Sequence, residues 1–139
     1  DELASTLPEY EVVMNMFGVG HTFGPQLMAE IGDISRFNHR SALTAFAGVD
    51  PGVNQSGKMK IDSNRASKRG APRLRKTLFQ IMQTLMQNAP ADNRVYLFMM
   101  KKKAEGKPYH VYMTAGANKF LRIYYGTVKA HLASQSQTE

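Results

Sequence analysis

The sequence predicts a mainly α fold, a compact helical domain with a helix, glycine hairpin, helix unit at its N-terminal end and a basic loop between later helices. Three observations carry the prediction. Apolar residues recur at helical spacing in successive stretches, and Gly, Pro, Asn or Asp punctuates their ends. Between two of those stretches, Asn54 to Lys76 holds abundant charge and too little apolar content to bury itself. At 139 residues and 42% hydrophobic, the chain is long enough for one core that buries roughly two-thirds of the unfolded surface.

Residues 1–11 lack periodicity and include Pro8, and read as an arm or the remnant of a linker. Val12, Val13, Met16 and Phe17 then make a short apolar face, followed by a tight hairpin at Gly18-Val19-Gly20. Thr22 caps a helix carrying Phe23, Leu27, Met28 and Ile31 on one side, and Gly32 ends it. Asp33 to Phe37 is a connector. Asn38 caps the next helix, from about His39 to Ala47, which buries Leu43, Phe46 and Ala47 and stops at Gly48. Asp50-Pro51-Gly52 turns the chain into the charged stretch.

Pro72 suits the first position of a helix, and Leu74, Leu78, Ile81, Met82, Leu85 and Met86 form the clearest core stripe of the chain. Asn88-Ala89-Pro90 breaks that helix. Asp92 or Asn93 caps another, running through Tyr96, Phe98, Met99 and Met100 to Lys103, with Gly106 closing it and Lys101 to Lys103 as its solvated end. From Pro108, the stripe His110, Met113, Ala117, Phe120, Leu121 and Tyr124 predicts a last helix to about Lys129. Lys119 and Arg122 lie off the stripe and extend the basic surface. Residues 131–139 are polar and read as a disordered tail, which leaves 12–130 as the domain. The chain begins without Met, and the expectation is a piece of something longer.

Charge is polarised along the chain. Residues 1–57 hold two Lys/Arg against seven Asp/Glu, a balance of −5, and residues 58–139 hold 16 against four, a balance of +12. That asymmetry points the second half at a polyanion, with nucleic acid favoured. From Lys58 to Lys76 there are eight Lys/Arg and one acid, Asp62, and the first turns of the following helix carry Arg73, Arg75 and Lys76. Cations there oppose the helix dipole by about 0.3–1 kcal/mol each, a cost that a bound phosphate reverses. Lys58, Lys68, Arg69, Arg73, Arg75 and Lys76 are therefore the candidate nucleic-acid contacts, beside Gly18 and Gly20 of the hairpin.

The absence of cysteine excludes disulfides, thiolate zinc sites and cysteine nucleophiles. No run of 18 apolar residues and no basic-then-apolar leader argues for a membrane span or a visible secretory signal. The four histidines, His21, His39, His110 and His131, are scattered without metal-ligand spacing, and no metal is assigned to the chain. Met82, Met86, Met99 and Met100 read as core filler. Ser56 is the one plausible nucleophile, its hydroxyl next to Gly57 and a cationic run that would stabilise the charge developing on a phosphate.

The hairpin unit resembles the helix-hairpin-helix motif, whose glycine-turn amides hold a DNA phosphate without reading sequence. Beyond it, several segments stand in one order: Met16-Phe17-Gly18-Val19-Gly20, Leu27 to Asp33, Arg36-Phe37, Leu43 to Pro51, Gln55-Ser56-Gly57, Lys68-Arg69-Gly70 through Leu74-Arg75, Gly106-Lys107 and Ala117-Asn118-Lys119. Together they resemble the C-terminal transposase domain of the Piv-type (Asp-Glu-Asp-Asp) insertion-sequence recombinases, the family that includes the bridge-RNA-guided transposases. The resemblance covers about residues 12–125. Ala71-Pro72 departs from the family's usual asparagine-containing run after the glycine.

That resemblance implies Ser56 as the catalytic nucleophile for DNA cleavage and rejoining, with Lys68, Arg69 and Arg75 near nucleic acid. It also implies a separate N-terminal nuclease-like domain holding magnesium, DNA and a guide RNA as partners, a homo-oligomer, and a bacterial or archaeal cytoplasmic setting near the nucleoid. The fragment alone is then expected to be inactive. Two other readings of the residues stay open. One is a non-catalytic helix-hairpin-helix nucleic-acid-binding module, and the other is a helical domain whose basic stretch faces an acidic protein.

Overall fold

In a computed structural model, the structure describes residues 9–16, 19–50, 71–88 and 92–138. Among these residues there are α-helices, one 3-10 turn and no strand: α1 (Tyr10–Met14), α2 (Gly20–Ile31), the turn Ile34–Arg36, α3 (Arg40–Ala47), α4 (Pro72–Asn88), α5 (Arg94–Ala104) and α6 (Tyr109–Thr138). The mainly helical class follows directly from the periodic stripes.

The long α6 is the spine, and α1, α3, α4, α5 and the 3-10 turn all pack on it, while α2 docks on α1 and α4. Its inward face buries Met113, Ala117, Phe120, Leu121, Tyr124 and Val128. Facing it, α4 buries Leu74, Leu78, Ile81, Met82 and Leu85, the stripe that its sequence announces.

Chain ends of these helices are set by local chemistry. Pro72 opens α4, where a missing N–H costs nothing, and the Arg75 amide donates to Ala71 O at 3.1 Å. Asn93 caps α5, its side-chain oxygen accepting from the Tyr96 amide at 2.9 Å. At the end of α3, Gly48 adopts φ +74° and the amides of Gly48 and Val49 donate to Ala45 O and Thr44 O. Gly106 repeats the device after α5, with φ +90° and the amides of Gly106 and Lys107 donating to Lys103 O and Lys102 O. Both are closures that need a left-handed residue, hence glycine.

Five details differ from the sequence expectation. The second helix starts at Gly20 rather than behind a Thr22 cap, because Val19 is buried and its carbonyl already accepts the Phe23 amide at 3.1 Å. His39, not Asn38, caps α3: its Nδ1 accepts from the Ser41 amide at 3.1 Å, doing the work of an Asn oxygen. In α5 the buried residues are Val95 and Met99, whereas Tyr96, Phe98 and Met100 are partly buried and Leu97 is exposed. The last helix continues to Thr138 instead of fraying near Lys129, since Val128 and Leu132 carry the Tyr124 face onward and no Gly or Pro follows Gly126. His110, the first member of the predicted α6 stripe, is exposed and stacks on Phe79 with ring centroids 5.8 Å apart.

Candidate nucleic-acid interface

Of the residues singled out in the sequence, Gly18, Ser56, Lys58, Lys68 and Arg69 lie outside the described residues. So does the basic loop itself. Gly20 is the first residue of α2, with φ +59° and open space where a side chain would project. Arg73, Arg75 and Lys76 sit in the first turns of α4, as expected, but they do not form one patch.

Arg73 and Lys76 are exposed over a hollow of about 430 Å³ between α2 and α4, which also contains Gln26, Glu30 and Gln80. The acid there has a structural job, because the Thr77 hydroxyl donates to Glu30 Oε1 at 2.8 Å and ties the two helices together. Arg75 turns the other way, half-buried, and its Nη1 donates to Ala47 O at 3.3 Å. Burial draws its guanidinium below the ordinary arginine value without taking away its charge at neutral pH.

On α6 the Asn118 side chain, 8% exposed, donates from Nδ2 to Val49 O at 3.2 Å and to Asp50 Oδ1 at 3.4 Å. The two described ends of the stretch 51–70 are therefore fastened to one corner. Val49 and Asp50 are held by α6, and the first turn of α4 is held to the last carbonyl of α3, that of Ala47. A second strap ties the end of α2 to Phe46 of α3. Arg36 donates from Nε and Nη2 to Ile31 O at 3.1 and 2.7 Å, and its guanidinium lies 4.6 and 4.8 Å from the ring centres of Phe37 and Phe46.

A larger concentration of positive charge lies elsewhere, along the outer face of α6. Two hollows of about 500 and 490 Å³ meet at Lys119 and Arg122. Arg40 and Arg94 border the first; Lys102, Lys107 and His110 border the second. Sequence reasoning found Lys119 and Arg122 by their position off the core stripe, and it missed Arg40, Arg94, Lys102 and Lys107. Helix α3, helix α5 and the connection between α5 and α6 bring those four to the outer face of α6 from positions with no common spacing.

Among the described residues no group of three His, Asp or Glu side chains converges as a metal site would require, and no helix is long and apolar enough to cross a membrane. Among the described residues the arrangement offers cationic surface at two places and a polar corner between α3, α4 and α6.

Comparison with known proteins follows the same part of the chain. A family model described as the Transposase IS116/IS110/IS902 family matches residues 10–97, from the start of α1 into α5. An insertion element IS116 uncharacterized 44.8 kDa protein of Streptomyces clavuligerus is 30% identical over 96 residues, covering 69% of this chain and 23% of that protein. The chain thus spans less than a quarter of the length of that relative. No solved structure matches.

Proposed function

The chain belongs to the IS116/IS110/IS902 transposase family, and from that premise we propose that it is the C-terminal, DNA-contacting part of a recombinase active site in which Ser56 is the nucleophile. The Ser56 oxygen forms a bond to a DNA phosphorus. The bond from that phosphorus to one deoxyribose oxygen breaks, and the departing oxygen takes a proton. A phosphoserine link then stores the bond, and attack by a strand-end hydroxyl reverses the exchange and rejoins DNA. Cations around the phosphate stabilise the charge of the transition state.

The observation that carries this reading is the polar corner. Ser56 stands six positions after Asp50 in the sequence, and both described ends of its segment are fastened beside α3, with Arg75 held there by Ala47 O. Such fastening is what a reacting loop needs, because a displacement of about 1 Å costs roughly 100-fold in rate. Arg73 and Lys76, one helical face away, suit the flanking phosphates.

Magnesium belongs, in this proposal, to a nuclease-like domain outside the chain, and no step is derived through it. A guide RNA and assembly of more than one copy are part of the same proposal. The test is the full-length protein carrying Ser56→Ala: recombination and the covalent protein–DNA adduct should both vanish while DNA binding stays. A variant that still recombines and still traps an adduct removes Ser56 from the mechanism and leaves a nucleic-acid-binding module.

A further inference from the structure

Six cations surround the outer face of α6, and the chemistry proposed for Ser56 uses none of them. Lys119 and Arg122 stand at the centre, Arg40 and Arg94 on one side, and Lys102 and Lys107 on the other. Among the described lining residues one acid, Asp50, opposes them, and its carboxylate already accepts from Asn118. Lys102 also reaches Glu105, at 3.9 Å and with both side chains partly exposed, a contact of little weight. Like charges held this close repel unless an anion lies among them.

Two features mark the surface as built for such an anion. The Lys102 and Lys119 ammonium groups, from different helices, lie 5.3 and 5.0 Å from the centre of the same Phe98 ring. One aromatic ring thus gathers two cations that solvent alone would let swing apart. Second, small residues, Thr114, Ala115, Gly126, Thr127 and Ala130, stand among the larger ones that line the hollows, and a side chain added at Gly126 would meet nothing within 4 Å. From Val111 to Ala130 this face runs about 29 Å at 1.5 Å per residue, long enough for several successive phosphates of one strand. An open trough of that length fits a polyanionic chain better than a single phosphate.

We infer that the α5–α6 trough holds the sugar–phosphate backbone of a nucleic-acid strand, at a contact separate from Ser56. Lys119 and Arg122 supply its central charges, and Phe98 is a positioning residue for the two lysines. Asn118 spends its amide on Val49 and Asp50 and is not free to contact the strand. Most of it lies past Leu97, where the family match ends. The inference rests on the reading of the chain as a domain that handles nucleic acid.

The experiment is fluorescence anisotropy of the 139-residue chain with labelled strands of about 20 nucleotides as duplex DNA, single-stranded DNA and RNA, over about 50–200 mM salt. Lys119→Gln with Arg122→Gln should weaken binding about tenfold or more at low salt. It should also flatten the log–log salt slope by about 1.8 on duplex or about 1.4 on single strands. Lys119→Arg with Arg122→Lys should keep the slope, which separates charge from folding, and Phe98→Leu should weaken binding by a smaller factor at unchanged charge. The polymer with the largest loss is the one the trough holds. Wild-type slope and affinity in the Gln double variant, with salt-sensitive binding by the unaltered chain, overturn the trough and leave the family reading intact. Loss on Arg73→Gln with Lys76→Gln alone overturns it in the same way. An unaltered chain that binds none of the three polymers overturns both.

Discussion

Replacing glycine by alanine at two positions of α6 should move stability in opposite directions. In a helix interior the change gains about 1 kcal/mol at either site from backbone entropy and helix propensity. At Gly126 an added methyl meets nothing within 4 Å, so the gain stands and should raise Tm by about 3 °C. At Gly116 the methyl would sit 2.5 Å from Met99 Cγ and Sδ and 3.1 Å from Met82 Sδ. Methionine is adaptable, but both of these side chains are 0% exposed and have nowhere to go without displacing others. Overpacking of that kind costs about 1–3 kcal/mol, which exceeds the propensity gain and leaves a net loss of about 1 kcal/mol. Thermal unfolding followed by circular dichroism, on the two variants side by side, reads the sign. Equal rises in Tm would refute the reasoning, because they would mean that the seam between α5 and α6 is loose enough to take a methyl group.

Asn118→Leu keeps the side-chain bulk and removes the donor to Val49 O and Asp50, leaving a buried carbonyl short of a partner at a cost of about 1–3 kcal/mol. In the full-length protein the same variant should lose recombination by more than its stability loss accounts for, while binding of nucleic acid changes little; recombination in step with stability counts against the corner. Asp33 gives a pH signature. The Ser35 amide and then the Ser35 hydroxyl donate to its carboxylate at 3.0 and 2.8 Å and hold its pKa below the ordinary value. A pKa lowered by folding adds stability above the unfolded-state value and loses it as pH falls through the folded value. The Tm gap between the unaltered chain and Asp33→Asn should therefore shrink below about pH 4, and a gap that widens there contradicts the assignment.

Legibility followed contrast. The stripe from Leu74 to Leu85 alternates with Arg, Lys, Gln and Thr, so the sequence names both the helix and its buried face. Residues 95–100 read Val-Tyr-Leu-Phe-Met-Met without a polar position, and periodicity could not tell the Val95–Met99 side from the Tyr96–Met100 side. The start of α2 was hidden by a plausible cap at Thr22, since nothing in the sequence says that Val19 turns inward. At the interface, Arg73, Arg75 and Lys76 looked like one patch because they are near neighbours in sequence, yet helical geometry points Arg75 at α3 and the other two at α2. The trough shows the opposite relation, with cations far apart in sequence and adjacent in space.

Among the described residues the cations divide between two places with different physical requirements. A reacting phosphate needs few cations, held rigidly, and Arg75 meets that description: half-buried, bonded to a backbone carbonyl and seated where α3 meets α4. A strand held for register needs several cations spread over tens of ångströms, each replaceable and each worth little alone. Lys119, Arg122 and their neighbours fit that second need: Arg122, Arg40, Arg94 and Lys107 are exposed, and the partly buried Lys119 and Lys102 share one phenylalanine ring. Because α6 carries both Asn118, which fastens the segment leading to Ser56, and Lys119, which stands at the middle of the trough, one rigid helix fixes the distance between the two. Strand position and the anchor of the segment leading to Ser56, at Val49 and Asp50, are then coupled through the backbone of α6.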